Sequence, residues 1–405
     1  MVSILRTLQA EWNDLVPLAQ ERGIPRVRRL NGTLEPIAYR RERLEWLRDQ
    51  LGMGSTALST PEQVNFALDA MTFGVELEFL MPYGVTREMV ARKINAAGVP
   101  CVAEEYNHGT RTHWKTVSDM SVADTREEAR RSGCEVVSPV LRGEEGLEQL
   151  RKVCDVLTEM RCAVNKKCGL HVHVGARGQG VDFFKNIAFL YASAEGSIDQ
   201  FMSPSRRASE NAFCQPMMIT PRALQNATNV NEVMAACGHV NDVRHVRNGQ
   251  RYRKLNLQSF WQHGTVEFRH HQGTDEAKKA VNWTKLCLRM ALAARDGARN
   301  APTLQALFEL TRTPADEVEY FRSRIAHFAQ AEGRALPSEE DMGGELERRL
   351  NQDMERALMG ALGYAATPAP VEDRTRAQAN AFIVTGEALR EAAHTPAAPW
   401  RRTNR

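Results

Sequence analysis

The sequence lacks the features that mark several common classes of protein. None of its eight cysteines falls in a CxxC pair, so a zinc ribbon is not expected. No stretch reaches the roughly 18 apolar residues that a membrane-spanning helix needs. The first residues carry acids early and contain no long apolar run, so no signal peptide is expected. These absences predict a soluble, cytoplasmic protein with reduced cysteine thiols.

The charge and length of the chain indicate which ligands and which domain organisation to expect. A net charge of +3 is small for 405 residues, so nucleic acid is not expected as a specific ligand. Hydrophobic residues make up 42% of the chain, which is enough for a packed core. The pattern along the chain predicts three parts: a helical N-terminal extension over residues 1–68, a central domain over residues 69–300, and a helical C-terminal region over residues 301–405 that ends in a disordered tail.

The central domain begins with a pattern typical of β-strands. Apolar and polar residues alternate from Phe73 to Leu80, as in a strand with one buried face. Further strand-like runs are Trp114 to Ser118, Cys134 to Ser138, Leu170 to Gly175, Lys254 to Trp261 and Thr265 to His270. The last two runs are separated by a short polar segment and predict a hairpin. Helical patterns lie between the strands, the clearest from Phe183 to Phe201 and another from about Asp275 to Asp296.

Three of the predicted strands carry two ionisable residues two positions apart. The pairs are Glu76 and Glu78, His171 and His173, and Glu267 and Arg269. Side chains two positions apart point to the same face of a strand, and the residues beside these pairs are apolar. One face of the sheet therefore packs on a core, while the other face displays acids, imidazoles and a guanidinium.

These residue types indicate a metal site that also binds phosphate. Carboxylates bind Mg²⁺ and Mn²⁺, imidazole accepts Mn²⁺ and Zn²⁺, and an adjacent arginine would bind an anionic phosphate. Each pair alone is ordinary on a solvated sheet face, but three together favour function. Two further acids are candidates. Glu135 is a lone acid in an apolar strand, and Asp119 ends a strand where an Asx turn is an equal explanation.

A series of short motifs supports this interpretation. The segments GVELEF, SDMS, CEVVSP, CGLHVHVG and GTVEFRHHQGT occur in this order between Thr72 and Thr274. Together they resemble the amidoligase family, a branch of the glutamine synthetase and glutamate–cysteine ligase superfamily. The resemblance implies an α+β fold in which a curved, glutamine synthetase-like antiparallel sheet lines the active site and helices pack behind it. It makes residues 69–300 the catalytic domain and leaves the two helical extensions unexplained.

The resemblance also implies an activity. A phosphoryl group would pass from ATP to a substrate carboxylate, and an amine would then attack the acyl phosphate. The implied cofactors are ATP and Mg²⁺ or Mn²⁺. The implied partners are a carboxylate substrate, which could be an amino acid, a peptide or a protein, and an amine. No membrane is expected as a partner, and the oligomeric state is left open.

The motifs assign roles to individual residues. Glu76 resembles a ligand of the metal that bridges the ATP phosphates, with His171 and Glu267 as further ligands of the same metal. Glu78 and Glu135 resemble ligands of a second metal, nearer the substrate carboxylate.

The remaining assignments concern catalysis and ATP. Arg269 resembles the arginine that neutralises charge on the transferring phosphoryl group, so Arg269 and Glu267 are the expected catalytic residues. Arg253, from an arginine-rich stretch, is expected to bind ATP together with Arg269. Asp119 is a further candidate metal ligand.

Other functions use the same residues. A phosphotransferase of the same superfamily would differ only in what accepts the phosphoryl group. A zinc hydrolase would use His171, His173 and an acid, which would leave the paired Glu76 and Glu78 without a role. A binding protein that retains the metal site would be expected to lack one of the key acids.

Overall fold

The N-terminal part contains a hairpin where the sequence predicts helices. The computed structural model describes residues 61–107, 109–122, 131–207, 211–239 and 251–337, and the backbone of two short strands before them. These strands, β1 (Val27–Leu30) and β2 (Thr33–Pro36), pair antiparallel. The intervening sequence Asn31-Gly32 is a pair favoured in hairpin loops, so a wholly helical extension was the wrong prediction. Predictions for residues 338–405 lie outside the described residues.

The rest of the described chain contains both strands and helices. The helices are α1 (Pro61–Ala70), α2 (Arg87–Ala96), α3 (Gly143–Glu159), α4 (Val181–Gln200), α5 (Pro221–Asn226), α6 (Val230–Ala236), α7 (Ser259–His263), α8 (Ala277–Arg295), α9 (Leu304–Leu310) and α10 (Ala315–Ala331). The strands are β3 (Thr72–Met81), β4 (Cys101–Ala103), β5 (Trp114–Ser118), β6 (Ser132–Val137), β7 (Leu141–Arg142), β8 (Gly169–Gly175), β9 (Leu255–Asn256) and β10 (Thr265–Gln272).

These strands form one mostly antiparallel sheet, which confirms the α+β prediction. The strand order is β4-β5-β6-β3-β8-β10-β9, and the short β7 also pairs with β3. The β4–β5 pair is parallel, and the other pairs are antiparallel. The long strand β3 therefore lies near the middle of the sheet, between β6 and β8.

One face of the sheet packs against helices. On β3 the apolar side chains Phe73, Val75, Leu77 and Phe79 are buried in the main core. Helix α8 contacts both α3 and α4, and the three helices supply much of the rest of this core. Full burial of one such apolar side chain contributes roughly 1.5–3 kcal/mol. The opposite face of β3 is left for Glu76 and Glu78.

The predicted hairpin before β10 is wrong in its first strand. The run from Lys254 to Trp261 forms only the short strand β9, and the next residues turn into helix α7. Gly264 ends this helix with φ 72°, in the left-handed region that glycine adopts without steric cost. Its N–H donates to the carbonyl of Phe260. A helical turn thus replaces the end of the predicted first strand and the turn that was expected to follow it.

Two general predictions can be compared with the described residues. No helix among them is long and apolar enough to cross a membrane. All eight cysteines are buried and free of disulfide bonds. Burial raises the pKa of thiols such as Cys168, to about 11, although its backbone hydrogen bond with Asn165 acts in the opposite direction.

Candidate active site

The strand register brings predicted site residues together on one face. In the β3–β8 pair Glu76 lies opposite His171, and in the β3–β6 pair Glu78 lies opposite Glu135. In the β8–β10 pair Glu267 lies opposite His173. Residues directly opposite in neighbouring strands project from the same face. Four adjacent strands therefore present acids and imidazoles to one place.

His171 lies at the centre of this group. Its Nδ1 is 3.0 Å from Glu76 Oε2, and its Nε2 is 3.7 Å from Glu78 Oε1. Glu267 Oε1 is 3.8 Å from the same Nδ1. The ring is buried, so these carboxylates are its nearest charged neighbours among the described residues.

His173 is held with one ring nitrogen directed at the acids. Its Nδ1 lies 3.1 Å from Ser259 Oγ and 2.9 Å from Thr265 Oγ1, which fixes the ring. Its Nε2 lies 3.3 Å from Glu76 Oε1 and 3.8 Å from Glu267 Oε1. This Nε2 is buried and has no hydrogen-bond partner among the described residues. A buried, oriented ring nitrogen that faces two carboxylates is suited to bind a cation together with them.

Two sets of side chains bring ligand atoms close enough to hold a metal ion. One consists of Glu76, Glu135 and His171, and the other of Glu76, His173 and Glu267. Within each set the ligand atoms lie within 4.8 Å of one another. Glu76 belongs to both. We call these the Glu135 set and the Glu267 set.

This grouping differs from the grouping that the motifs imply. The Glu135 set contains His171, whereas the resemblance placed His171 with Glu267. His171 Nδ1 also lies 3.8 Å from Glu267 Oε1, so the grouping from the motifs stays a prediction. The Glu267 set contains His173, which sequence reasoning did not assign as a ligand. Its position two residues after His171, on the same face, was the available signal. The sequence could not show which acids on the neighbouring strands lie near each of the two histidine rings.

The carboxylates of the two sets differ in protonation behaviour. Burial and the nearby charges of Glu76, Glu78 and Asp119 raise the pKa of Glu135 well above its ordinary value. Burial alone would also raise the pKa of Glu76. Interactions with His173 and His171 outweigh that effect and lower the Glu76 pKa well below the usual range.

The Glu267 set shows the same opposition between burial and charge. Burial favours protonated Glu267, but Arg269 and His173 outweigh it and lower the pKa of Glu267 to about 2. Burial likewise opposes charge on His173, and Glu267 and Glu76 raise its pKa. Crowded carboxylates of this kind, together with the unpartnered Nε2 of His173, fit divalent cations with oxygen and imidazole ligands.

Two predicted metal ligands belong to neither set. Glu78 Oε2 accepts a 2.7 Å hydrogen bond from the N–H of Gly169, and Glu78 lines a cavity that the residues of both sets also line. Asp119 Oδ1 accepts a 2.8 Å hydrogen bond from the N–H of Ser121, which is the Asx turn expected as its alternative role. Asp119 also lines the cavity, so it contributes negative charge near Glu135.

The two predicted ATP-binding arginines are placed differently. Arg269 lines the cavity, with Nη1 2.5 Å from Glu267 Oε1 and its guanidinium 5.5 Å from the centre of the Tyr252 ring. Burial opposes its charge, but Glu267, Glu78 and Glu76 raise its pKa above the ordinary value. Arg253 is absent from the residues that line the cavity, and its Nη1 donates to the carbonyl of Pro216. Arg251 lines the cavity instead.

The site opens into a cavity of about 1020 Å³. Besides the two sets, its lining includes residues that sequence reasoning did not single out: Tyr106, Lys115, Arg206, Tyr252 and Trp261. Lys115 is buried, and its Nζ donates to Asn107 and Gly109 at 2.8–2.9 Å. Ligand pockets for single small molecules are typically about 300–1,000 Å³. This cavity therefore has room for a large ligand or for two.

A comparison with protein-family models agrees with the motifs. A protein-family model described as "Putative amidoligase enzyme" matches residues 69–291. No curated protein matches the chain. Among solved structures, one titled "Crystal structure of novel glutamine synthase homolog" is 12% identical, with 79% of this chain and 74% of that chain covered and a TM-score of 0.27.

Proposed function

Because the chain belongs to the amidoligase family, we propose that it is an ATP-dependent carboxylate–amine ligase that works through an acyl phosphate. Family membership supports a ligase-type enzyme in general. One observation carries the more specific proposal: two candidate metal-binding sets share Glu76 beside Arg269, whose side chain is 11% exposed, in one cavity. Metal ions and an arginine are the groups that phosphoryl transfer requires, because this reaction depends on positioning the reactants and on neutralising charge.

The two sets would hold Mg²⁺ or Mn²⁺. Glu76, Glu135 and His171 would bind one ion, and Glu76, His173 and Glu267 the other, while Glu78 lies close enough to contribute. Bound ions of this type neutralise charge on phosphoryl oxygens. The hydroxyls of Ser259 and Thr265 hold His173 in position, as hydrogen-bonded neighbours of metal ligands usually do.

Arg269 supplies a fixed positive charge beside the Glu267 set. Its ion pair with Glu267 and its position over Tyr252 restrict the guanidinium. A group held in this way can stabilise negative charge that develops on a transferring phosphoryl group without reorganising during the reaction.

The proposed reaction has two balanced steps. An oxygen of the substrate carboxylate bonds to the γ-phosphorus of ATP, and the bond to ADP breaks. The nitrogen of the amine then attacks the carbonyl carbon, phosphate leaves with the bonding electron pair, and the amine loses a proton. The cavity volume of about 1020 Å³ supports this proposal because nucleotide and carboxylate must be bound together.

A zinc hydrolase built on the HVH pair has less support. Among the described residues, no candidate ligand set contains both His171 and His173. In the candidate sets His171 is grouped with Glu135 and His173 with Glu267, and both sets share Glu76. The pair would have to act as two separate ligands, which removes the reason for expecting a mononuclear zinc site from this motif.

A trapping experiment tests the ligase proposal. The full chain is incubated with ATP, Mg²⁺, hydroxylamine and a panel of carboxylates, and hydroxamate is measured. We expect ATP-dependent hydroxamate from at least one carboxylate, lost in Glu76→Gln and kept in Glu144→Gln. Glu144 is an exposed acid on α3 that does not line the cavity, and this makes it a matched control. ATP-independent hydrolysis of amides by the same preparation would contradict the proposal.

A further inference from the structure

The cavity contains a buried cation that has no charged partner among the described residues. Arg206 is 1% exposed and lines the cavity. Its Nη2 donates to the carbonyl of Lys167 at 3.2 Å, whereas its Nε and Nη1 have no hydrogen-bond partner in the described part of the chain. A buried guanidinium without a counter-ion is unfavourable, so such groups are usually paired.

Three other buried cations in the described residues have acceptors for their charge, and for Lys115 these are the neutral oxygens of Asn107 and Gly109. Lys254 pairs with Glu195 and Asp199, at 3.1 and 2.6 Å. Arg289 lies 3.4 Å from Glu317. Arg206 stands apart because two of its three nitrogens, Nε and Nη1, have no hydrogen-bond partner among the described residues, although the cavity around it contains several acids.

The position of Arg206 relative to the two sets is fixed by Gly169. A Cβ atom on Gly169 would lie 2.7 Å from Arg206 Nη2 and 2.8 Å from His171 Nε2. The bare Cα therefore allows the guanidinium to lie beside the His171 ring. The N–H of Gly169 also donates to Glu78. Arg206 is thus at the Glu78 side of the site, while Arg269 is paired with Glu267.

We propose that Arg206 binds a second carboxylate of the substrate, so that the enzyme acts on a dicarboxylic acid or on an acidic amino acid or peptide. This inference rests on the proposed function. The reacting carboxylate and the phosphoryl group belong with the two sets and Arg269. The unpaired charge of Arg206 then requires one further anion, and a guanidinium binds carboxylate with charge-assisted hydrogen bonds.

A binding experiment without ATP tests this inference. Glutarate and pentanoate have carbon chains of equal length and differ by one carboxylate. Each is titrated into the full chain in the presence of Mg²⁺, and binding is followed by the thermal unfolding midpoint and by calorimetry. We expect glutarate to bind wild-type protein and pentanoate to bind at least about tenfold more weakly.

The variants identify the residue responsible. Arg206→Gln should weaken glutarate binding by about thirtyfold or more, because a buried partner of a charge is lost. Arg177→Gln is the matched control, since Arg177 also lines the cavity but is exposed, and it should bind glutarate normally. Arg206→Lys keeps the charge and fills much of the volume. If the glutamine variant fails to fold, the lysine variant should still show at least about tenfold weaker glutarate binding.

Several results would overturn the inference. Equal binding of glutarate and pentanoate to wild-type protein would do so without any variant. Normal glutarate binding by a folded Arg206 variant would do so as well. A third titration uses inorganic phosphate: if Arg206→Gln loses phosphate and keeps glutarate, Arg206 serves the nucleotide. Because no step requires turnover, a failure to form hydroxamate would contradict the proposed function and leave this test intact.

Discussion

Arg269 and Glu267 form an ion pair across a β-bulge, with 2.5 Å between Nη1 and Oε1. The register between β10 and β8 shifts between Phe268 and His271, so one extra residue is present on β10. Arg269 faces the cavity, while His270 contacts Tyr191 and Asp199 on the helical side. At this bulge, consecutive residues therefore point to opposite sides of the sheet: Arg269 to the cavity and His270 to the helices.

Replacing Arg269 by lysine separates a catalytic role from a structural one. A lysine can keep an ion pair with Glu267, but it cannot reproduce the forked contact of a guanidinium with phosphate. We expect Arg269→Lys to fold, to bind ATP nearly normally, and to turn over about a hundredfold more slowly. This corresponds to roughly 2.7 kcal/mol of lost transition-state stabilisation.

Arg289→Lys provides the comparison for this variant. Arg289 is also buried beside an acid, Glu317, but it does not line the cavity. We expect its replacement to lower the unfolding midpoint and to leave turnover unchanged. If Arg269→Lys behaves in the same way, with earlier melting and normal turnover, the role of Arg269 is structural.

Because Glu76 belongs to both sets, replacing it should affect metal binding more than replacing Glu135 or Glu267. Mn²⁺ binding, followed by electron paramagnetic resonance, should show two ions per wild-type chain, one for each set. Glu135→Gln should lose one ion and keep the other, and Glu267→Gln should do the converse. Glu76→Gln should weaken both sites, because its carboxylate is common to them.

One outcome of the metal titration would contradict this prediction. If Glu76→Gln loses only one ion while Glu135→Gln loses both, Glu135 bridges the ions and the two sets are wrongly assigned. Glu144→Gln, which removes an exposed acid outside the cavity, should bind both ions as the wild type does.

His270 should make the protein sensitive to acid. Burial lowers the pKa of His270 from 6.5 to about 4, and Lys254 adds to this effect. Between these values the unfolded chain binds a proton that the folded protein does not, so stability falls as the pH decreases from 6.5 towards 4. The expected loss is on the order of 3 kcal/mol.

Urea unfolding at several pH values measures this loss. His270→Gln lacks the titrating group, so its stability should decrease less steeply between pH 6.5 and 4. It also loses the contacts of His270 with Tyr191 and Asp199, so it should be less stable at neutral pH. His271, whose pKa burial lowers to about 3, remains in the variant and accounts for the residual slope. An unchanged slope in His270→Gln would show that His270 is not the responsible group.

The part of the site that the sequence could predict depends on strand periodicity. Alternation along β3 put Glu76 and Glu78 on one face, and the same rule applied to His171 and to Glu267. Motif order then indicated that these strands belong to one site. Local patterns of this kind need no knowledge of which strands are neighbours.

What the sequence could not predict depends on neighbours in space. The division of His171 and His173 between two sets follows from the positions of β6 and β10 on opposite sides of β3 and β8. Arg206 lies in a short 3₁₀ turn, Pro204–Arg206, with no periodic pattern to mark it. Helix α7 likewise replaces the end of a predicted strand and is followed by Gly264 in the left-handed conformation, a local turn that strand propensity does not encode.

The most direct test of the account follows one oxygen atom. A carboxylate substrate found in the hydroxamate assay is labelled with ¹⁸O in its carboxyl group, and the products of ligation with ATP and an amine are separated. If the carboxylate attacks the γ-phosphorus, ADP forms and one labelled oxygen appears in inorganic phosphate. Label in AMP, with release of pyrophosphate, would show attack at the α-phosphorus. Phosphate without label would show that no acyl phosphate forms, and either result would contradict the proposed mechanism.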